Sequence, residues 1–180
     1  MSKQFADLGI QESIIKALSD LKIVAPTEIQ QKTIPLLLST KTDVVGLAKT
    51  GTGKTAAFGL PLLQLIEINN TAIQVIILVP TRELGHQIYN NLEAFSRYLP
   101  EVSIAETCGG IPIKPQIERL TAPTHIVVAT PGRLIDLIQR KAVSLKETQF
   151  LVLDEADEMV TILKEGLDEI ITELPKNRRT

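Results

Sequence analysis

The chain is poor in cysteine, in aromatic residues and in any excess of one charge. Its 180 residues include one cysteine, Cys108, no tryptophan, four phenylalanines and two tyrosines. A single thiol rules out an internal disulfide, and the lack of clustered Cys and His argues against a structural zinc site. Nineteen basic residues stand against 21 acidic ones, a formal net charge of −2. That balance argues against a polybasic protein that grips nucleic acid by bulk charge, so any such binding must use a few well-placed groups. Long apolar runs are missing too. The strongest, 75–79, stops at Pro80, far short of the roughly 18 residues that a membrane span needs. Residues 1–9 hold no apolar segment of the kind a secretory signal carries. Together with one unpaired thiol, these absences predict a cytoplasmic protein with no membrane partner.

What is present is an ordinary globular composition, 44% hydrophobic and 22% charged. The length predicts one compact domain with a sizeable core, and Cys108 reads as a small buried apolar residue of that core. From residue 42 onward, short Val- and Ile-rich runs at 44–47, 73–79, 102–105, 125–129 and 150–153 alternate with longer stretches. In those stretches, such as 54–69, 82–98 and 133–140, apolar positions recur three or four apart. Strands without polar alternation are buried on both faces, so the pattern predicts a doubly wound α/β fold: a parallel sheet of about five strands flanked by helices. The first forty residues differ. Segments 10–21 and 27–39 read as amphipathic helices, with Pro26 near the start of the second. We therefore divide the chain into a helical extension, 1–40, and an α/β domain, 41–180.

Within the α/β part, an apolar run leads into Ala48-Lys49-Thr50-Gly51-Thr52-Gly53-Lys54-Thr55 and then a helical stretch. A polyphosphate needs many donors converging on it, and a backbone with few side chains is what can wrap it. Gly51 and Gly53 permit the wrap, and the following helix aims its N-terminal N–H groups at the anion. Lys54 suits the β- and γ-phosphates, and the Thr55 hydroxyl suits magnesium. The strict phosphate-loop pattern begins with Gly, and this chain has Ala48 there. Downstream, the apolar run 150–153 ends in Asp154-Glu155-Ala156-Asp157. A carboxylate at the end of such a strand, Asp154, suits magnesium held partly through water. Glu155 suits the orientation or deprotonation of an attacking water. A plain acidic helix cap is the competing reading for this pair. The hydrolase reading requires both stretches to serve one metal-chelated polyanion.

Taken together, these residues resemble the first RecA-like domain of a DEAD-box RNA helicase. Pro80-Thr81-Arg82-Glu83-Leu84 is similar to that family's motif Ia, Gly109-Gly110 to its GG pair, and Thr130-Pro131-Gly132-Arg133 to its motif Ib. Pro26-Thr27-Glu28-Ile29-Gln30 is similar to its Q motif, with Phe5 upstream. The resemblance implies an ATP-dependent RNA helicase that uses ATP and Mg2+. It implies that Gln30 reads adenine, that Phe5 supports that segment by packing, and that Ile23 takes the place of an aromatic residue that stacks on the base. Residues 48–55 would hold the nucleotide. Pro80, Thr81, Arg82, Gly109, Gly110, Thr130 and Arg133 would contact phosphates of single-stranded RNA, and Asp157 would couple the nucleotide site to the second domain. Few aromatic residues agree with a backbone-reading surface rather than a stacking platform. Gly85 stands where the family usually has alanine, a mild change early in a helix.

In that family a Ser-Ala-Thr motif and a second RecA-like domain follow, and neither lies within these 180 residues. The resemblance therefore implies that this chain is a fragment which binds nucleotide weakly and does not unwind alone. The partners it implies are single-stranded and short duplex RNA and the second domain, with no oligomer required. Two other classes use some of the same residues. Another P-loop nucleic-acid-dependent ATPase shares Lys54 and Asp154 but gives no reason for 80–84 and 130–133. A non-unwinding ATP-gated RNA clamp needs all of them.

Overall fold

The computed structural model describes residues 4–49 and 51–180, apart from the side chains of residues 160–165. They fall into two compact units, residues 1–67 with 90–102 and residues 68–89 with 103–180.

The first unit is helical. A short 3-10 turn, Ala6–Leu8, precedes α1 (Glu12–Asp20), α2 (Glu28–Ser39) and α3 (Lys54–Leu65). Helix α2 starts where it does because Thr27 and Gln30 form a reciprocal capping box, which satisfies two of the amides that every helix leaves open. Helix α1 ends in a Schellman turn: Ile23 N donates to Leu18 O (2.9 Å) and Lys22 N to Ser19 O (2.9 Å), with Lys22 left-handed at φ 58°. Ile14, Leu18, Ile34, Leu60 and Leu92 are fully buried here. Helix α3 packs against α2, and Gly59 lets it approach Leu92 so closely that a Cβ would stand 2.8 Å from that side chain.

The second unit holds the sheet. Strands β1 (Val75–Leu78), β2 (Ile104–Thr107), β3 (Ile126–Ala129) and β4 (Phe150–Leu153) are all parallel, in the order β2-β3-β1-β4. Helix α4 (Arg82–Phe95) follows β1, α5 (Ile113–Leu120) follows β2, α6 (Pro131–Gln139) follows β3 and α7 (Ala156–Glu173) follows β4. The central strands carry unbroken apolar runs because both faces are buried. Their core on one side joins Ile76, Leu78, Val127, Leu134, Leu151 and Ile170, each such residue contributing about 1.5–3 kcal/mol on burial. Among the described residues no helix is long and apolar enough to cross a membrane.

One expected strand is not formed. Residues 43–49 have no regular structure, and Val45 and Leu47 are 88% and 92% exposed. A β-branched run supplies only a preference. A strand exists when a neighbour accepts its amides, and Gly46 in the middle weakens the preference further. The sheet among the described residues therefore has four strands rather than five.

Candidate functional site

In the first unit the glycine-rich turn is built on two left-handed residues, Gly51 (φ 81°) and Gly53 (φ 89°). Gly53 is the residue from which α3 starts. A Cβ on it would lie 2.3 Å from Gln30 Nε2, so conformation and space both require glycine. Ala48 is half-buried and Lys49 exposed, and Thr52 Oγ1 donates to Lys49 O (2.7 Å), which closes the turn. Lys54 and Thr55 form the first turn of α3, where the N-terminal amides and the positive end of the helix favour an anion. Thr50 lies outside the described residues.

Gln30 is 3% exposed, and both ends of its amide are engaged. Its Oε1 accepts from Thr27 N (2.9 Å) and its Nε2 donates to Gly53 O (3.1 Å). The side chain read as an adenine contact thus ties the helix cap to the glycine turn. This cap went unread in the sequence, although Thr followed three residues later by Gln is its signal; the tie to Gly53 has no local signal. Ile23, half-buried, follows the Schellman turn, and Phe5 is buried, its carbonyl accepting from Leu8 N and Ile10 N.

In the second unit the carboxyl ends of all four strands carry predicted site residues. Ligands of open parallel sheets bind at this edge. After β4, Asp154 is buried at 8% exposure, and its Oδ1 accepts from Glu155 N (3.2 Å). Glu155 takes left-handed backbone (φ 55°, ψ 48°) where it starts α7, a conformation costing a non-glycine residue about 1–2 kcal/mol. Asp157, in the first turn of α7, is exposed.

After β1, Pro80 is half-buried, and Thr81 Oγ1 accepts from Leu84 N (3.3 Å) to cap α4. Arg82 opens that helix and is exposed. After β2, Gly109 N donates to Thr130 Oγ1 (3.1 Å), and Gly110 is left-handed (φ 79°), with Arg82 Nη1 3.7 Å from where its Cβ would be. After β3, Arg133 Nη2 donates to Ile111 O (2.8 Å) and its Nη1 to Gln116 Oε1 (2.5 Å). The structure thus brings together Arg82, Gly109, Gly110, Thr130 and Arg133, which the sequence separates by up to half the unit. In both hydroxyls the oxygen accepts a backbone amide, which leaves the O–H proton available to an anion.

Sequence reasoning missed one residue of this cluster. Gln116, on α5, is 5% exposed, and its Nε2 donates to Cys108 O (3.0 Å). Cys108 is fully buried, as expected, and burial with Glu106 nearby pushes its thiol up to about 11. Its partner is Gly85, where a Cβ would stand 2.5 Å from Cys108 Sγ and 3.2 Å from Val79 Cγ2. The glycine read as a mild change is therefore required by its neighbour.

A parallel α/β sheet with a glycine-rich helix entry and carboxylates at a strand end defines the RecA-like class of domains. The DEAD/DEAH box helicase family model matches residues 27–180. The chain is 44% identical over 178 residues to the DEAD-box ATP-dependent RNA helicase CshA of Streptococcus pneumoniae, covering 98% of this chain and 34% of that protein. It is 42% identical over 176 residues to the ATP-dependent RNA helicase DeaD of Mycobacterium tuberculosis, covering 97% and 31%. Among solved structures, a DEAD box protein from the hyperthermophile Methanococcus jannaschii superposes with a TM-score of 0.89 at 38% identity, covering 98% of this chain and 48% of that one. S. cerevisiae Dbp5 bound to RNA and ADP BeF3, a single-residue variant, gives 0.89 at 28% identity, covering 99% and 45%. The chain belongs to the DEAD-box RNA helicase family as an N-terminal RecA-like domain, and it spans about a third of the length of the curated relatives it matches.

Proposed function

We propose that this chain is the ATP-binding domain of an RNA-dependent ATPase that clamps single-stranded RNA and opens short duplexes. The observation that carries the reading is Glu155, a carboxylate retained in left-handed backbone directly after buried Asp154. Lys22 and Lys141 take the same backbone after helices, whereas Glu155 takes it between a strand end and a helix start, where strain accompanies function. In this reading the backbone of 48–53 and Lys54 bind the phosphates of ATP, and Glu155 orients the attacking water and takes its proton. The Thr55 hydroxyl and the Asp154 carboxylate are each oxygen donors of the kind that would suit Mg2+ with most of its water retained. When bound, the ion supplies charge neutralisation at the phosphate oxygens.

Gln30 reads adenine by exchanging its bonds to Gly53 and Thr27 for bonds to the base, with Ile23 as an aliphatic contact and Phe5 as support. Thr81, Arg82, Gly110, Thr130 and Arg133 hold RNA phosphates and position the strand without reading its sequence, while Gly109, whose amide is given to Thr130 Oγ1, and Pro80, which has no N–H, line the same surface. Asp157 couples this domain to a second RecA-like domain, whose arginines complete the γ-phosphate site; such groups contribute about 10³–10⁵ in rate. The 180 residues alone are then expected to bind nucleotide weakly and not to unwind.

Glu155→Gln in the full-length protein tests the reading. It is expected to abolish RNA-stimulated ATP hydrolysis while ATP affinity is retained, whereas Lys54→Ala weakens the affinity itself. Unchanged turnover in Glu155→Gln overturns the assignment. Stimulation by DNA rather than RNA favours another P-loop motor, and ATP-gated RNA retention without strand displacement favours a clamp.

A further inference from the structure

The loop after β2 is tied down at successive points by three side chains, two of which belong to the proposed RNA surface. Thr130 Oγ1 takes the Gly109 amide and Arg133 takes the Ile111 carbonyl. The third is Gln116, whose buried amide donates to Cys108 O at 3.0 Å and accepts from Arg133 Nη1 at 2.5 Å. One side chain thus holds the base of the glycine pair with its donor and the guanidinium of Arg133 with its acceptor. A carboxamide offers both functions from one fixed plane. A carboxylate has no proton for Cys108 O, and an apolar residue leaves both partners without their bond in a buried setting.

We propose that Gln116 is a positioning residue for RNA-phosphate binding: it sets the Gly109-Gly110 loop and the Arg133 guanidinium in one geometry, so that both face the same stretch of backbone. This rests on the reading of Arg133 as a phosphate contact. Gln116 itself touches no RNA. Its neutral amide orients Arg133 without cancelling its charge, which leaves that charge for the phosphate. A glutamate in the same place directs the guanidinium toward the protein instead, since a charged acceptor binds arginine more strongly than a neutral one.

The test is the salt dependence of binding to a labelled poly-uridine strand, measured on the full-length protein with a non-hydrolysable ATP analogue. Each phosphate contact on a single strand contributes about 0.7 to the slope of log K against log salt. Arg133→Ala is expected to lower the slope by about that amount. Gln116→Met is expected to lower it similarly, and the double variant no further. Gln116→Glu, nearly isosteric, is expected to lower it while thermal melting shows a folded domain. A wild-type slope in both Gln116 variants, with a lowered slope in Arg133→Ala, overturns the proposal and leaves Gln116 as a packing residue. An unchanged slope in Arg133→Ala overturns the phosphate reading of that arginine, and the role of Gln116 with it.

Discussion

Two helices of this chain are entered through left-handed backbone, and they meet that demand in opposite ways. Helix α3 is entered through Gly53 and α7 through Glu155. At Gly53 the angle favours glycine, and a Cβ would also strike the Gln30 amide. At Glu155 the angle alone opposes a side chain, yet a glutamate is there. The turn before α3 is built from what is missing, a backbone with no side chain at Gly51 or Gly53. The turn before α7 keeps a side chain that the backbone disfavours, a carboxylate directly after the end of β4.

That contrast can be broken by substitution. Gly53→Ala carries the largest expected effect, because it combines the left-handed penalty with a collision: about 3 kcal/mol lost in chemical denaturation, with ATP affinity lost as well. Gly85→Ala isolates the space term, since α4 is ordinary helix there. We expect a loss of about 1–3 kcal/mol, recovered in Gly85→Ala combined with Cys108→Ala, where the sulfur is gone. If the single variant melts like wild type, the close pairing of the two residues is wrong. Glu155→Gly is expected to raise stability by about 0.5–1 kcal/mol, the relief of left-handed strain less the entropy of glycine, while ATP turnover is lost.

Lys22→Gly is the control for that trade. Lys22 is left-handed at the end of α1 and exposed, so the same gain should come with no loss of turnover. A gain in only one of the two would mean that strain does not account for Glu155. The smallest effect is at His125, which is buried and whose Nδ1 accepts from Ser103 N (3.0 Å). Burial holds this imidazole below its ordinary value of 6.5, so the unfolded chain takes up the proton first. The contribution is intact above about pH 6.5 and is lost as the pH falls from there through the lower folded value. His125→Gln should flatten the stability curve over that window, and an unaltered slope would show that His125 does not titrate on unfolding.

Much of the fold was legible because parallel sheets bury both faces of their strands. The run 150–153 is β4 without adjustment, and 73–79 and 125–129 enclose β1 and β3. The stretches 54–69 and 82–98 begin where α3 and α4 begin but run past their ends, since apolar period continues past the last closed turn. Helix α5 was missed: Ile113–Leu120 is short, contains Pro115, and follows a glycine pair, so no periodic signal accumulates. The run 44–47 was expected as a strand because composition records preference and not pairing. For the site, every motif was visible as local spelling. Gln116 was not, because an isolated glutamine carries no signal until its two hydrogen-bond partners are known.

The order of residues by itself determined the chemistry on offer: which turns lack side chains, which strands end in carboxylates, and which arginines follow them. Those features are local, and backbone angles and residue types state them without reference to the rest of the chain. Tertiary structure alone decided which groups meet. Cys108, Gly109, Ile111, Gln116, Thr130 and Arg133 became one hydrogen-bonded cluster because β2 and β3 pair in parallel and bring their carboxyl ends side by side. Gly85 became indispensable only once Cys108 lay against it. Contacts of this kind depend on distance in space, which sequence separation does not encode.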